Sequence, residues 1–171
     1  MTYILALVTA AIVVVADQIT KLLIVANLNS ESCIPTLGGL FNIRFVENSG
    51  AAWSILEGKT WLLVAISLVI MAICVFMLVK KTYGSKLMFW AISLVLAGGV
   101  GNLIDRLFRA GKVVDFIEFG FVDFPVFNVA DISVCVGAGL IVLMFIIEAV
   151  SDYKKSKAAK NHENTESEET K

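Results

Sequence analysis

Four blocks of the chain are apolar almost without interruption, at about 3–25, 60–79, 86–108 and 131–150. Each is close to the roughly 20 residues that an α-helix needs to cross a bilayer. The second block, TWLLVAISLVIMAICVFMLV, and the fourth, DISVCVGAGLIVLMFIIEAV, are nearly free of charge, whereas the first and third carry polar groups towards their C-terminal ends. Between the first two blocks the period changes. In LGGLFNIRF a Gly-Gly turn precedes Phe41, Ile43 and Phe45, which alternate with Asn42 and Arg44. That alternation predicts a strand with one apolar face. The pattern predicts an all-α membrane protein with four transmembrane helices, and a small extracytoplasmic β element, about 33–57, between helices 1 and 2. The membrane domain is expected to cover 1–153. The polar stretch KKSKAAKNHENTESEETK is expected to form a disordered cytoplasmic tail over 154–171.

Charge orients this arrangement. Lys80, Lys81 and Lys86 lie in one connection, and Lys154, Lys155, Lys157, Lys160 and Lys171 in the tail; Arg44, Lys59, Arg106, Arg109 and Lys112 fall on the other side. The excess of basic residues predicts cytoplasmic termini, with 26–59 and 109–130 outside. The opening MTYILALV has no basic segment, and Asp17 and Lys21 interrupt its apolar run, so block one is expected to be a retained span rather than a cleaved leader.

Composition agrees with a membrane protein: the 171 residues are 58% hydrophobic and 17% charged, against roughly 45–50% apolar in soluble chains. A net charge of −1, with no basic stripe among aromatics, argues against nucleic acid. Cys33, Cys74 and Cys135 have no CxxC spacing and read as small hydrophobes. The single histidine, His162, lies in the tail, which leaves no HExxH zinc site and no Ser-His or Cys-His pair. No metal or other cofactor is expected. Hydrolytic chemistry would have to come from carboxylates, amides or lysine.

The candidate groups each have a plain structural alternative. Asp17 and Lys21 share a helix face at i and i+4, as a structural pair with Lys21 reaching outward or as functional intramembrane charges. In ENSGAAWS, Asn48 could bond an extended backbone with Gly50 allowing close approach, or the stretch could be a surface turn. In AGGVGNLIDR the glycines suit tight helix packing, but Asn102, Asp105 and Arg106 suggest a polar cavity or a helix end at the interface. Asp131 could simply cap the following helix, Asp115 could be a loop carboxylate, and Asp123 belongs to a turn before Pro125. Taken together, Asp115 and Asp131 differ from the rest: with 15 residues between them, one follows the outer end of span three and the other opens span four, so if those spans are neighbours both carboxyls can reach one point. Two carboxyls brought close cannot both ionise easily, so one holds a proton while the other is charged. A non-enzymatic alternative is a proton- or ion-coupled carrier using Asp17, Lys21, Asp105 and Arg106; a passive scaffold is another.

Four motifs occur in order: D-x-x-x-K at Asp17–Lys21, N-S-G-A-A-W at 48–53, G-N-L-I-D-R at 101–106, and V-V-D-F-I at 113–117 with F-N-V-A-D at 127–131. With four spans, this set closely resembles the bacterial lipoprotein signal peptidase (signal peptidase II) family over about 3–150. The Gly-rich stretch reads A-G-G-V-G-N where many members have G-G-A-L-G-N. The resemblance implies an aspartic endopeptidase of the cytoplasmic membrane that removes signal peptides from prolipoproteins, cutting before a cysteine already carrying diacylglyceryl. It implies a catalytic pair at Asp115 and Asp131, and substrate-facing or supporting roles for Asp17, Lys21, Asn48, Gly50, Asn102, Arg106, Asn128 and Ala130. It further implies an outer β cradle over the site, contact with membrane lipids and inhibition by globomycin. Because the proposed pair lies in one chain, a monomer would suffice.

Overall fold

The computed structural model describes every residue except Met1, Ala52, Ser54, Thr82, Tyr83, Thr170 and Lys171; the side chains of Thr2 and 158–169 also lie outside the description. Ala52 of the N-S-G-A-A-W motif and Lys171 of the expected tail thus lie outside the described residues. In chain order the elements are α1 (Thr2–Asn27), β1 (Cys33–Thr36), a 3-10 turn (Leu37–Gly39), β2 (Phe41–Asn48), α2 (Thr60–Lys80), α3 (Lys86–Phe108), β3 (Val113–Phe119) and α4 (Val129–Glu169). Among the described residues, four segments are long and apolar enough to cross a membrane: Tyr3–Asn27, Thr60–Lys80, Lys86–Phe108 and Val129–Lys157. Past that last segment, the backbone of α4 stays helical to Glu169.

Helix α3 is the hub. About half of its apolar span is buried, 56%, against 17% or less in each other span, because α1, α2 and α4 all pack against it. Its N-terminus is capped by Ser85, whose Oγ accepts from the Met88 N–H at 3.1 Å. Close approach of α4 depends on missing side chains. A Cβ on Gly98 would collide with the Ala130 carbonyl, and one on Gly101 would lie 2.7 Å from the Asp17 carboxylate and 3.1 Å from the Ala130 methyl. The glycine face predicted for packing thus meets both α1 and the start of α4. By contrast, the outward faces of α1, α2 and α4 expose long runs of Leu, Ile, Val and Phe, as expected of helices bathed in lipid.

The sheet is antiparallel, in the order β1-β2-β3. The strand read from the alternation at 41–45 is β2, and β1 pairs with it from Cys33↔Arg44 to Thr36↔Phe41. The third strand was not among the expected elements. Asp115, for which a loop carboxylate was the plain alternative, lies on β3 opposite Val46, next to a register shift between Ile43 and Val46. The strand was hidden because Val113, Val114, Asp115 and Phe116 are all buried, so the segment shows no alternation. Ile117 also bridges to Phe127, which returns the chain towards α4. Arg44 Nη1 donates to Glu118 Oε1 at 2.7 Å and braces β2 to β3.

Candidate active site

The start of α4 positions the first acid. The residue before the helix is Asn128, whose Oδ1 accepts from the Asp131 N–H at 2.9 Å. In return, Asp131 Oδ2 accepts from the Asn128 N–H at 3.1 Å. This is a reciprocal capping box, with Asn128 as the N-cap and Asp131 in the first turn, not at the cap position suggested by the sequence.

The second acid, Asp115, is brought to the same place by β3. It is 2% exposed. Asn48 Nδ2 donates to its Oδ2 at 2.8 Å, and Asn128 Nδ2 donates to its Oδ1 at 2.6 Å. Asn102 Nδ2 donates to Asp131 Oδ1 at 2.7 Å. Each of the four carboxyl oxygens therefore accepts one N–H, and Asn128 holds both acids. Burial, followed by the charge of Asp131, pushes the Asp115 carboxyl up to about 7, against the pull of the Asn48 and Asn128 hydrogen bonds.

Beneath the pair lies a buried charge cluster. Lys21 Nζ contacts Asp17 Oδ2 at 2.9 Å and Asp105 Oδ2 at 3.0 Å, and donates to Asn102 Oδ1 at 3.0 Å. Its three N–H donors are thus used. Lys21 is fully buried; it does not reach outward, because three acceptors hold it inside. Asp17 Oδ1 accepts from the Ala130 N–H at 2.9 Å, joining α1 to the start of α4. Arg109 adds a second cation, 3.3 Å from Asp105. At the other edge, Arg106 Nη2 donates to the Gly50 carbonyl at 3.1 Å, and the Gly50 N–H donates to Asn48 Oδ1 at 2.8 Å. Arg106 Nε is buried with no hydrogen-bond partner among the described residues.

All ten residues named from the sequence join one connected network running Arg106, Gly50, Asn48, Asp115, Asn128, Asp131, Asn102, Lys21, Asp17, Ala130. Besides Arg109, the network includes Asp105, which the sequence offered only for a polar cavity or the carrier alternative, and Gln18, which it did not offer. Asp105 accepts from the Val114 N–H at 3.0 Å and so pins the start of β3 to α3. Gln18 donates to the Gly101 carbonyl at 3.1 Å and contacts Asp17 and Asp105. The signal for Asp105 was its place three residues after Asn102, on the same helical face. Gln18 gave none.

Two cavities meet at Asp115. The larger, of about 550 Å³, contains both acids and extends between apolar walls that include Ile70, Met71, Val95, Val134 and Phe127. The smaller, of about 400 Å³, is polar, lined by Arg44, Glu47, Ser49, Glu57 and Asp123 among others. No group of three or more His, Cys, Asp and Glu suited to a metal occurs among the described residues.

Comparison with known proteins matches this geometry to a family. The family model for signal peptidase (SPase) II matches residues 9–147. The chain is 43% identical over 150 residues to a lipoprotein signal peptidase of Bacillus pumilus (strain SAFR-032), covering 86% of this chain and 94% of that one. It is 34% identical over 153 residues to a lipoprotein signal peptidase of Shouchella clausii (strain KSM-K16), covering 90% and 100%. A bacterial membrane enzyme solved by the in meso method at 2.3 Å superposes with a TM-score of 0.79 at 37% identity, covering 86% of this chain and 89% of that one. A second, at 1.9 Å, gives 0.74 at 38% identity, covering 84% and 92%. The chain belongs to the signal peptidase II family.

Proposed function

We propose that Asp115 and Asp131 are the catalytic pair of an endopeptidase that removes signal peptides from diacylglyceryl-modified prolipoproteins, cutting before the lipidated cysteine. The observation that carries this reading is the shared Asn128 clamp: one amide side chain and its own N–H hold both carboxyls at the mouth of an apolar cavity. At rest Asp115 carries the proton, since burial and the neighbouring charge hold its carboxyl near 7. Asp131, held by the helix start and by Asn102, is the ionised partner. Asp131 takes a proton from the attacking water while Asp115 protonates and polarises the scissile carbonyl. Proton return to the amine leaving group completes the cycle. The two pKa values belong to the pair.

The cavities suit a substrate that changes polarity at the scissile bond. The apolar cavity takes the signal segment and acyl chains, and the polar one takes the chain after the cysteine. Anchoring by lipid supplies part of the positioning that soluble proteases obtain from side-chain contacts. Arg106, with an unpartnered Nε, offers a donor to a substrate carbonyl. We place the sheet and the acids at the outer face of the cytoplasmic membrane, with both termini in the cytoplasm, and the enzyme acts as a monomer within surrounding lipid.

Asp115→Asn and Asp131→Asn, made separately and assayed with diacylglyceryl-modified substrate in detergent, should each lose about 10²–10⁴-fold in cleavage rate. Near-normal turnover in either folded variant would refute the assignment.

A further inference from the structure

Helix α2 is apolar from Trp61 to Val79 apart from one hydroxyl, Ser67. A serine in a membrane helix ordinarily gives its proton to a backbone carbonyl, because no water is present to take it. Two other serines in the spans do so: Ser93 Oγ donates to the Phe89 carbonyl at 2.8 Å, and Ser133 Oγ donates to the Leu94 carbonyl at 2.8 Å. Ser67 makes no side-chain hydrogen bond among the described residues. It lies instead on the wall of the cavity that holds the acids, beside Ile70 and Met71 one helical turn further on.

Depth also fits. Ser67 is seven residues from the Thr60 end of α2, about 10 Å along the axis at ~1.5 Å per residue. Asn102, which bonds Asp131, is six residues from the Phe108 end of α3, about 9 Å by the same rise. Both helix ends adjoin the sheet, so the hydroxyl is level with the acids across the cavity. The walls near it (Ile70, Met71, Val95, Val134) have no side-chain polar donor. An acyl chain alone would leave the hydroxyl unsatisfied in a dry site, at a cost.

A diacylglyceryl group carries ester carbonyls a few bonds from the cysteine sulfur, and an ester carbonyl accepts hydrogen bonds without donating any. We infer that Ser67 Oγ donates to an ester carbonyl of the substrate's diacylglyceryl group and so contributes to binding the lipid beside the acids. This inference rests on the peptidase reading above. It makes Ser67 a specificity-determining residue that distinguishes ester-linked from ether-linked lipid.

The test uses the full-length enzyme in detergent free of ester lipid, with two lipopeptide substrates that differ only in carrying diacyl or dialkyl glyceryl groups. Ser67→Ala, which keeps size and helix propensity, should raise KM for the diacyl substrate by about two- to tenfold, the fold-change one net hydrogen bond carries, and leave kcat unchanged. With the dialkyl substrate, wild type and variant should have the same KM, near that of the variant on the diacyl substrate. An equal effect on both substrates would make Ser67 a shape-giving wall residue and overturn the inference, as would no effect on either. A difference that emerges only when diacyl phospholipid is added would assign the hydroxyl to bilayer lipid and overturn it too. Cleavage of neither substrate by wild type would overturn the peptidase reading and this inference together.

Discussion

At the scale of single residues, the acid on β3 sets the pH behaviour. The carboxyl of Asp115 is held near 7 against an ordinary value of 3.8, so the folded protein binds this proton more tightly than the unfolded chain does. Stability therefore falls as pH rises from about 4 to about 7, by up to ~1.4 kcal/mol per unit, and levels off above. Asp115→Asn should flatten this slope, whatever constant offset the lost hydrogen bond adds. Thermal unfolding in detergent between pH 4 and 8 measures both slopes; parallel curves would mean that Asp115 does not bear the proton. On the proposed roles, activity should fall above about pH 7, where Asp115 would lose the proton it is assigned to donate. The sequence made both acids visible, because a carboxylate among Val and Phe is conspicuous. It did not reveal Gln18, whose three contacts are with groups distant in the chain or on an adjacent residue, nor that Lys21 is fully buried.

Secondary-structure elements hold these residues by very close contact. Helices α1, α3 and α4 meet where Gly101 leaves room for the Asp17 carboxylate and Ala130, and Asp17 in turn holds the Ala130 N–H. A methyl group at position 101 would push Asp17 away from α4 and shift the first turn that carries Asp131. Gly101→Ala should lower cleavage at least about tenfold and reduce thermal stability, as overpacking costs roughly 1–3 kcal/mol. Gly139, with nothing within 4 Å of an added Cβ, is the control: Gly139→Ala should keep activity and gain up to about 1 kcal/mol from helix propensity. Equal responses in cleavage and melting temperature would remove the packing argument. The four helices were legible because length and apolar content alone define a span. Strand β3 was not, since burial on both sides erased its period, and its pairing with β2 joins segments separated by two helices.

For the whole molecule, polarity is arranged along one axis. Connections α1–β1, β2–α2, α3–β3 and β3–α4 all place the sheet at one end of the helix bundle, and the acids lie just beneath it. That end carries both exposed apolar side chains (Trp53, Trp61, Phe108 and Phe121) and ion pairs (Arg44–Glu118 and Lys112–Glu47), the mixture expected of a surface resting at a lipid–water boundary. The opposite end carries Lys80, Lys81 and Lys86. On the proposed orientation, which rests on the basic-residue bias, the sheet end would face outward, where the proposed substrate would present its lipidated cysteine. Cys33 tests this directly, since it is exposed at the start of β1. In a variant retaining Cys33 but with Cys74→Ala and Cys135→Ala, a membrane-impermeant maleimide added to intact cells should label the protein without permeabilisation. Labelling that requires permeabilised cells would invert the topology. It would also place the acids on the cytoplasmic side, away from any substrate whose lipid and mature chain lie outside.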